Sequence, residues 1–328
     1  MKGTAVVFED RGKVQVREVE IPEPTASDVV IDIECSWISI GTESSFLRGE
    51  RISGEQMYQP GDPWPFPQVA GYQKVGVVRS VGADVRGLSI GDRVFASVSG
   101  VANMFFDHGG HVSPAVTPAH QVWKLPDNAR AEDYAGMVLT QVGYNCGARP
   151  WIRPRDTAVV IGDGLVGQWA AQTLRHRSAD VVVLGRHDAR LAHLPSGIAR
   201  VNTRRVSLDE ALSTCEGVHV VVDTVGDMNT FGQLRRFMVR DSHLVSAGFL
   251  GDRGTVDIQS LREQEITLHT PSGWTKKRMD ETRSAIEAGW LLTSPLVTHR
   301  FPVNQAKAAW DLIQTAKASV LGVLLDWG

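Results

Sequence analysis

Apolar residues recur with two different periods along this chain. In the first third they alternate, or come in short runs broken by Gly, Asp and Pro. Ala5–Phe8 and Val14–Arg17 read as paired strands, and Val29–Glu34 alternates. Gly71–Val78 and Arg93–Ala96 follow, the second led in by the turn residues of GLSIGDRVFA (Gly87–Ala96). Short strands with frequent glycines predict a small, partly closed barrel. Arg51–Pro67 interrupts them. Its prolines Pro60, Pro63, Pro65 and Pro67 exclude a central strand or helix. Its aromatics Tyr58, Trp64 and Phe66 leave two readings, a surface loop or an aromatic wall over a substrate cleft.

Near residue 125 the period changes. Ala131–Leu139 has a helical pattern that Val142–Gly147 continues. Strand Ala158–Ile161, helix Val166–Arg177 and strand Val181–Leu184 then form a βαβ unit. Further strands are predicted at Val218–Val222, His243–Ser246 and Ile266–Leu268, with helical segments between most of them. Alternation of this kind predicts a parallel sheet covered on both faces, an α/β fold. Beyond residue 270 come a helix at Asp280–Ala288 and another from Gln305 to Thr315, with Asn304 as its N-cap. Ala306, Trp310 and Ile313 fall on one face of the latter, and Val320–Asp326 reads as a closing strand.

Composition narrows the classes. The 328 residues suggest two domains or one large one. Apolar residues at 42% and charged residues at 22% exclude a disordered chain, a coiled coil and a collagen-like polymer. With 34 Lys+Arg against 37 Asp+Glu, a general nucleic-acid partner is not expected. The apolar runs are strand-sized, and charges from Glu9 onward break any signal-peptide core, so no membrane association is expected. Cys35, Cys146 and Cys215 are dispersed and odd in number. That fits a reducing, cytoplasmic setting and excludes a disulfide framework or a four-cysteine zinc knot.

The segment with the most chemical information is AVVIGDGLVG, Ala158–Gly167. Gly162, Gly164 and Gly167 form G-x-G-x-x-G between a predicted strand and a predicted helix, with Asp163, Leu165 and Val166 in the same loop. This is the setting of a dinucleotide fingerprint. The first glycine permits the turn, the second admits a pyrophosphate and the third lets helix and strand pack closely. Helix N–H groups then face the phosphates. The alternative is a glycine-rich turn with no ligand. The second strand runs VVVLGRHDAR. Gly185 stands where an acid would bind the ribose 2′-OH of NAD(H), and Arg186, His187 and Arg190 follow. Cations without a carboxylate favour a 2′-phosphate, hence NADP(H). Asp188, as a displaced acid, keeps NAD(H) open. Further cofactor contacts are expected beyond later strand ends, at Thr224, Val225 and Gly226, at Ala247, Gly248 and Phe249, and at Thr270. Gln141 and Tyr144 are candidates to face the nicotinamide.

These features together resemble the medium-chain dehydrogenase/reductase superfamily over essentially the full length. The carrying pieces are the N-terminal β region, GYQKVGVV (Gly71–Val78), GLSIGDRVF, the fingerprint and the C-terminal strand. The resemblance implies a GroES-like catalytic domain, residues 1–123 completed by 271–328, around a Rossmann domain at 124–270. It also implies a homodimer. Within the superfamily, ISIGTE (Ile38–Glu43), PQVAGYQKVG (Pro67–Gly76), THR (Thr298–Arg300) and LLDW (Leu324–Trp327) are similar to the bacteriochlorophyllide a dehydrogenase-like branch. That branch oxidises a secondary alcohol with a nicotinamide cofactor.

The chain departs from the zinc members of the superfamily. Where they carry a Cys it has Ile40, and their Gly-His-Glu reads Gly71-Tyr72-Gln73. The lobe that would bear four cysteines has none. Isoleucine cannot ligate zinc and a neutral tyrosine is a poor ligand, so no zinc is expected. Asp107, His108 and His111, with Cys35 upstream, are ligand types whose spacing does not establish a set. Without a Lewis acid, a proton or hydrogen-bond donor must meet the developing alkoxide. Tyr72 is the first candidate; its alternative is a buried packing role. Ser39 and Thr42 are candidates for a relay to solvent, Glu43 for a hydrogen bond to cofactor or loop, and Asp107 and His108 for acid or base. The expectation is hydride transfer between NAD(P)(H) and a ketone or secondary alcohol, without zinc. The alternatives are an NADPH-dependent enone or quinone C=C reductase and a non-catalytic dinucleotide-binding protein.

Overall fold

The computed structural model describes residues 1–54, 56–250, 254–316 and 319–328. It divides into two units, Met1–Val138 with Val297–Gly328, and Leu139–Leu296.

The first unit is β-rich. Its central strand, Asp28–Trp37, pairs antiparallel with Lys74–Val81 on one side and with the C-terminal strand Gly322–Asp326 on the other. The sheet extends through Arg93–Ala96 to Val122–Lys124, and through Gly322–Asp326 to Val297–Pro302. A second sheet is built on Lys2–Asp10, which pairs with Lys13–Glu20, Gln68–Val69 and Val112–Ser113. Alternating inward residues of both sheets make the core, among them Val7, Val19, Ile31, Val78, Val94 and Val116. Helix Ala306–Thr315 closes one side with the predicted face: Ala306, Trp310 and Ile313 are all buried. The Trp310 ring meets Phe8 edge-on at 5.4 Å, a geometry that adds roughly 0.5–1.5 kcal/mol beyond area burial. The helix is entered through a 3-10 turn, Val303–Gln305, so its N-cap is Gln305, not Asn304. A short helix at Ile40–Leu47, not anticipated, follows the central strand.

Apart from Glu55, which lies outside the described residues, Arg51–Pro67 is loop with two short strands, Arg51–Ser53 and Gln56–Met57. Trp64 donates to Asp10, lies 5.1 Å from the Arg11 guanidinium and touches Tyr58 and Phe66. The aromatics therefore pack on the turn of the first hairpin.

The second unit is a Rossmann sheet of six parallel strands. Their spatial order is Ile198–Asn202, Asp180–Gly185, Thr157–Ile161, Val218–Asp223, Met238–Ser246 and Thr267–His269. The order reverses between Asp180–Gly185 and Val218–Asp223, on either side of Thr157–Ile161, which places the crevice for a ligand beyond the carboxyl end of that strand. Near-continuous apolar runs such as Ala158–Ile161 and Val220–Val222 reflect burial on both faces. The edge strand Ile198–Asn202 was not anticipated because Ala199 and Arg200 are exposed and break the apolar run. The units divide elsewhere than at 123/124 and 270/271. Trp169 and Gln172 both donate to the Leu292 carbonyl, and Gln172 accepts from its N–H, which anchors the segment after helix Lys276–Glu287 to this unit. Among the described residues no helix is long and apolar enough to cross a membrane.

Candidate functional site

The turn after Thr157–Ile161 shows three distinct uses of glycine. Gly162 has φ 118°, and a Cβ there would lie 2.3 Å from Thr224 Oγ1. A Cβ on Gly167 would lie 2.1 Å from the Gly162 carbonyl oxygen, so only glycine lets helix and turn close. A Cβ on Gly164 would meet nothing within 4 Å. Gly164 is the N-cap of helix Leu165–His176, and no side chain caps it. The first-turn N–H groups beside Leu165 and Val166 thus lack a side-chain acceptor and point a positive dipole end into open space.

Gln141 supplies a second sign of a missing partner. It is fully buried, and neither its amide oxygen nor its nitrogen has a hydrogen-bond partner. Its helix, Met137–Ala148, packs along the phosphate-loop helix: a Cβ on Gly143 would touch the Val166 carbonyl, and one on Gly147 the Ala170 carbonyl. Gln141 is therefore level with the open first turn. An uncompensated buried amide costs about 1–3 kcal/mol per group. The cradle and the orphaned amide both fit a dinucleotide.

The neighbouring turn holds Gly185, Arg186, His187 and Arg190 around the carboxylate of Asp163. Asp188 is turned elsewhere, accepting from Asn202 and pairing with Arg205 at 2.8 Å.

The two later loops are bound to one another. Asp223 is 1% exposed, and its carboxylate accepts from the N–H groups of Val225, Gly226 and Asp227. Burial raises its pKa, against the pull of these three donors. Its carbonyl accepts from the N–H groups of Ala247 and Gly248. A Cβ on Gly248 would lie 1.9 Å from the Gly226 nitrogen. These N–H groups are spent in locking loop to loop, and the glycines serve that closeness. Asp223 was missed because it reads as the polar end of a buried strand. Thr224 donates to the Ile161 carbonyl. Val225, Phe249 and Thr270 are exposed. Tyr144 instead faces Trp290, with ring centroids 6.3 Å apart, beside Glu281 and Lys277 in an open depression.

In the first unit a polar cluster is built from distant chain positions. Ser39 is the N-cap of helix Ile40–Leu47. Its N–H donates to Glu43 Oε1 at 2.7 Å. Glu43 Oε2 lies 3.0 Å from His111 Nε2, and His111 Nδ1 lies 2.8 Å from Ser36 Oγ. Trp327 donates to the same Ser36 oxygen. A carboxylate only accepts, so the Nε2 proton belongs to the imidazole. His111 is fully buried, against Gly71, where a Cβ would come 2.6 Å from the ring. Tyr72 is partly buried, with Ser39 and Thr42 beside its hydroxyl. Burial pushes this phenol up to about 12, against the opposing pull of Ser39 and Thr42. Tyr72, Ser39 and Thr42 are thus brought together, while the contributions of His111 and Ser36 needed the tertiary structure. Asp107 and His108 lie outside the cluster. They pair with each other at 2.8 Å on an outward-turned loop, where the Asp107 side chain is 95% exposed.

The residues at the zinc positions do not fit zinc. Ile40 has no donor atom, and the Gln73 amide donates to the Trp37 carbonyl. Cys35 is buried within strand Asp28–Trp37. Both His111 nitrogens are engaged. Among the described residues no group of three or more His, Cys, Asp or Glu could hold a metal ion.

Residues 28–127 match the model of the alcohol dehydrogenase GroES-like domain. The chain is 24% identical to the 2-desacetyl-2-hydroxyethyl bacteriochlorophyllide A dehydrogenase of Cereibacter sphaeroides, over 100% of this chain and 99% of the relative. Among solved structures, an alcohol dehydrogenase (RspB) from Escherichia coli CFT073, complexed with NADH, superposes with a TM-score of 0.85 at 21% identity, covering 99% of each chain. A dehydrogenase from Sinorhizobium meliloti 1021, described as zinc-binding and bound to NADP, gives a TM-score of 0.82 at 20% identity, covering 100% of each. At these identities the structural likenesses show the fold alone.

Proposed function

We propose that the chain is a zinc-independent oxidoreductase of the medium-chain dehydrogenase/reductase type, acting on a ketone or secondary alcohol with a nicotinamide dinucleotide. The observation that carries this reading is Tyr72. It is a phenol held by Ser39 and Thr42 where relatives with zinc have a metal ligand. The nicotinamide ring supplies the hydride in reduction and takes it in oxidation.

The open first turn beyond Gly164 binds the pyrophosphate through backbone N–H groups, and Gln141 pairs its amide with the bound dinucleotide. With its pKa at about 12, Tyr72 stays protonated at neutral pH and acts as a donor to the forming alkoxide, not as a tyrosinate base. Ser39 and Thr42 orient the phenol and connect it to further donors. Glu43 fixes Ser39 through the helix N-cap and is itself held by His111. This arrangement is better suited to carbonyl reduction than to alcohol oxidation. Exposed Arg186 supports NADP(H) as the cofactor.

The test is turnover of a panel of ketones, secondary alcohols and enones by metal-stripped protein with NADPH and NADH. Ketone reduction that survives chelation and is lost in Tyr72→Phe supports the reading. Enone turnover without ketone or alcohol turnover replaces it with C=C reduction. Cofactor binding with no turnover leaves a dinucleotide-binding protein.

A further inference from the structure

The acid missing from the end of the second strand has a counterpart inside the phosphate loop. Asp163, between the first two glycines of the fingerprint, is 5% exposed. Its carboxylate reaches the end of Asp180–Gly185. Oδ2 accepts from the Arg186 N–H at 2.8 Å and from the His187 N–H at 2.9 Å. His187 Nδ1 lies 3.0 Å from Oδ2 and 3.2 Å from Oδ1, and Arg190 Nη1 lies 3.4 Å from Oδ1. Burial raises the pKa of this carboxylate, but these donors outweigh it and hold the group below its ordinary value, hence ionised.

Two consequences follow. First, Gly185 and Asp163 are one feature. A Cβ on residue 185 would lie 2.7 Å from both Cβ and Oδ2 of Asp163, so no acid can stand at 185 while Asp163 is in place. Second, Asp163 is not a 2′-OH reader supplied from another chain position. Both its oxygens are already used by protein donors, and it is buried beneath the turn. What it does is shape the turn. It ties down two successive N–H groups, and it pairs with Nδ1 of His187, which leaves Nε2 as the free ring nitrogen. Gln168, in the first turn of the phosphate-loop helix, donates to the Arg190 carbonyl and holds the far end of the same turn. The Arg186 side chain is left exposed, with Asp227 the acid whose charge it feels. Asp188 is taken up by Asn202 and Arg205.

We propose that Asp163 is a positioning residue for cofactor choice. Its carboxylate holds the 185–190 turn so that Arg186, His187 Nε2 and Arg190 receive a ribose 2′-phosphate. This inference rests on the reading of this unit as a nicotinamide-dinucleotide site. The mechanism is local electrostatics with fixed geometry: a planar guanidinium and an oriented imidazole bind a dianion well only when their backbone does not move. A ribose 2′-OH gains little from the same arrangement.

The experiment is calorimetric titration of the whole protein with 2′,5′-ADP and with ADP, which differ in the 2′-phosphate. Wild type is expected to bind 2′,5′-ADP at least tenfold more tightly than ADP. Asp163→Asn, with the fold checked by circular dichroism and melting, should lower that ratio at least tenfold and leave ADP affinity within twofold. Rescue of the ratio is not expected from Asp163→Ala. Should Asp163→Asn fail to fold, His187→Ala, which removes the oriented imidazole and leaves the Asp163 backbone bonds, is expected to lower the ratio alone. Equal loss of both ligands in both variants overturns the proposal, because Asp163 is then only a fold element. Tighter binding of ADP than of 2′,5′-ADP by wild type also overturns it while leaving a dinucleotide site standing. If wild type binds neither nucleotide, the dinucleotide reading falls, and this inference with it.

Discussion

Each unit contains a strand that turns directly into a helix, and the two turns are finished in opposite ways. After Thr157–Ile161, the N-cap of the next helix is Gly164, and the helix start is left without a side-chain cap. After Asp28–Trp37, the N-cap is Ser39, and Glu43 reaches back to its N–H while His111 holds Glu43 in turn. One turn is left open. The other is closed on itself and presents one phenol. The difference shows where a site's specificity resides. An open turn works through backbone groups, which any sequence with the right glycines supplies. A closed turn works through side chains that must be brought from elsewhere.

The largest test of this contrast is at Tyr72. Tyr72→Phe removes the donor and keeps the ring, so ketone reduction should fall about 10²–10⁴-fold, while NADPH affinity in a fluorescence titration stays as it was. Because the phenol is raised to about 12, it remains a donor across the working range. The Tyr72-dependent rate should therefore be flat from pH 6 to pH 10 and decline only on approaching pH 12. A falling limb near pH 8 that disappears in the variant would mean that the donor is not held as described.

Gly164→Val addresses the open turn. The new side chain meets no protein atom at its Cβ, and the backbone there is not left-handed. Melting temperature should hardly move. Loss of two phosphate hydrogen bonds at about 1.5–3 kcal/mol each should weaken cofactor binding roughly a hundredfold or more. A variant that binds as before shows that the phosphates are not at this turn.

Lys74 tests whether the closed side tolerates an unneeded charge. It lies two residues beyond Tyr72, fully buried, and donates to the Ser97 carbonyl. Burial lowers its pKa to about 7. Between about pH 7 and the ordinary lysine value of 10.5, the unfolded state binds more protons than the folded one. Stability from this group therefore rises with pH across that window. Lys74→Met should flatten that slope in denaturant titrations and raise neutral-pH stability by about 2–3 kcal/mol. An unchanged slope would place the ammonium in water.

The smallest expected effect is at Gln141. Gln141→Leu removes an amide without partners, so stability without cofactor should rise by about 1–2 kcal/mol, and cofactor affinity should drop about tenfold. A stability loss, or unaltered affinity, would show that the amide is satisfied within the protein.

The legible parts of the site are the local ones. Gly162, Gly164 and Gly167 act within six residues of each other, and the strand and helix around them follow from hydrophobic period. The cofactor contacts expected at Gly226 and Gly248 were a different matter. Their glycines are there because two loops touch, and Asp223 takes the N–H groups. Asp163 was visible as a loop residue, but its partners lie more than twenty positions away. Asp107 and His108 have the right chemistry but stand on a loop turned outward.

By itself the sequence determined the two architectures, the parallel strands around the fingerprint and the glycine turn between strand and helix. All of these rest on residues close in the chain, where period, glycine and helix capping act directly. Only the tertiary structure decided which polar side chains serve one another. Ser36, Ser39, Glu43, Tyr72, His111 and Trp327 span nearly the whole chain, and their cluster forms because the C-terminal strand pairs with Asp28–Trp37. Hydrogen-bond partners across such separations are set by sheet register and burial, and no local pattern of residues encodes them.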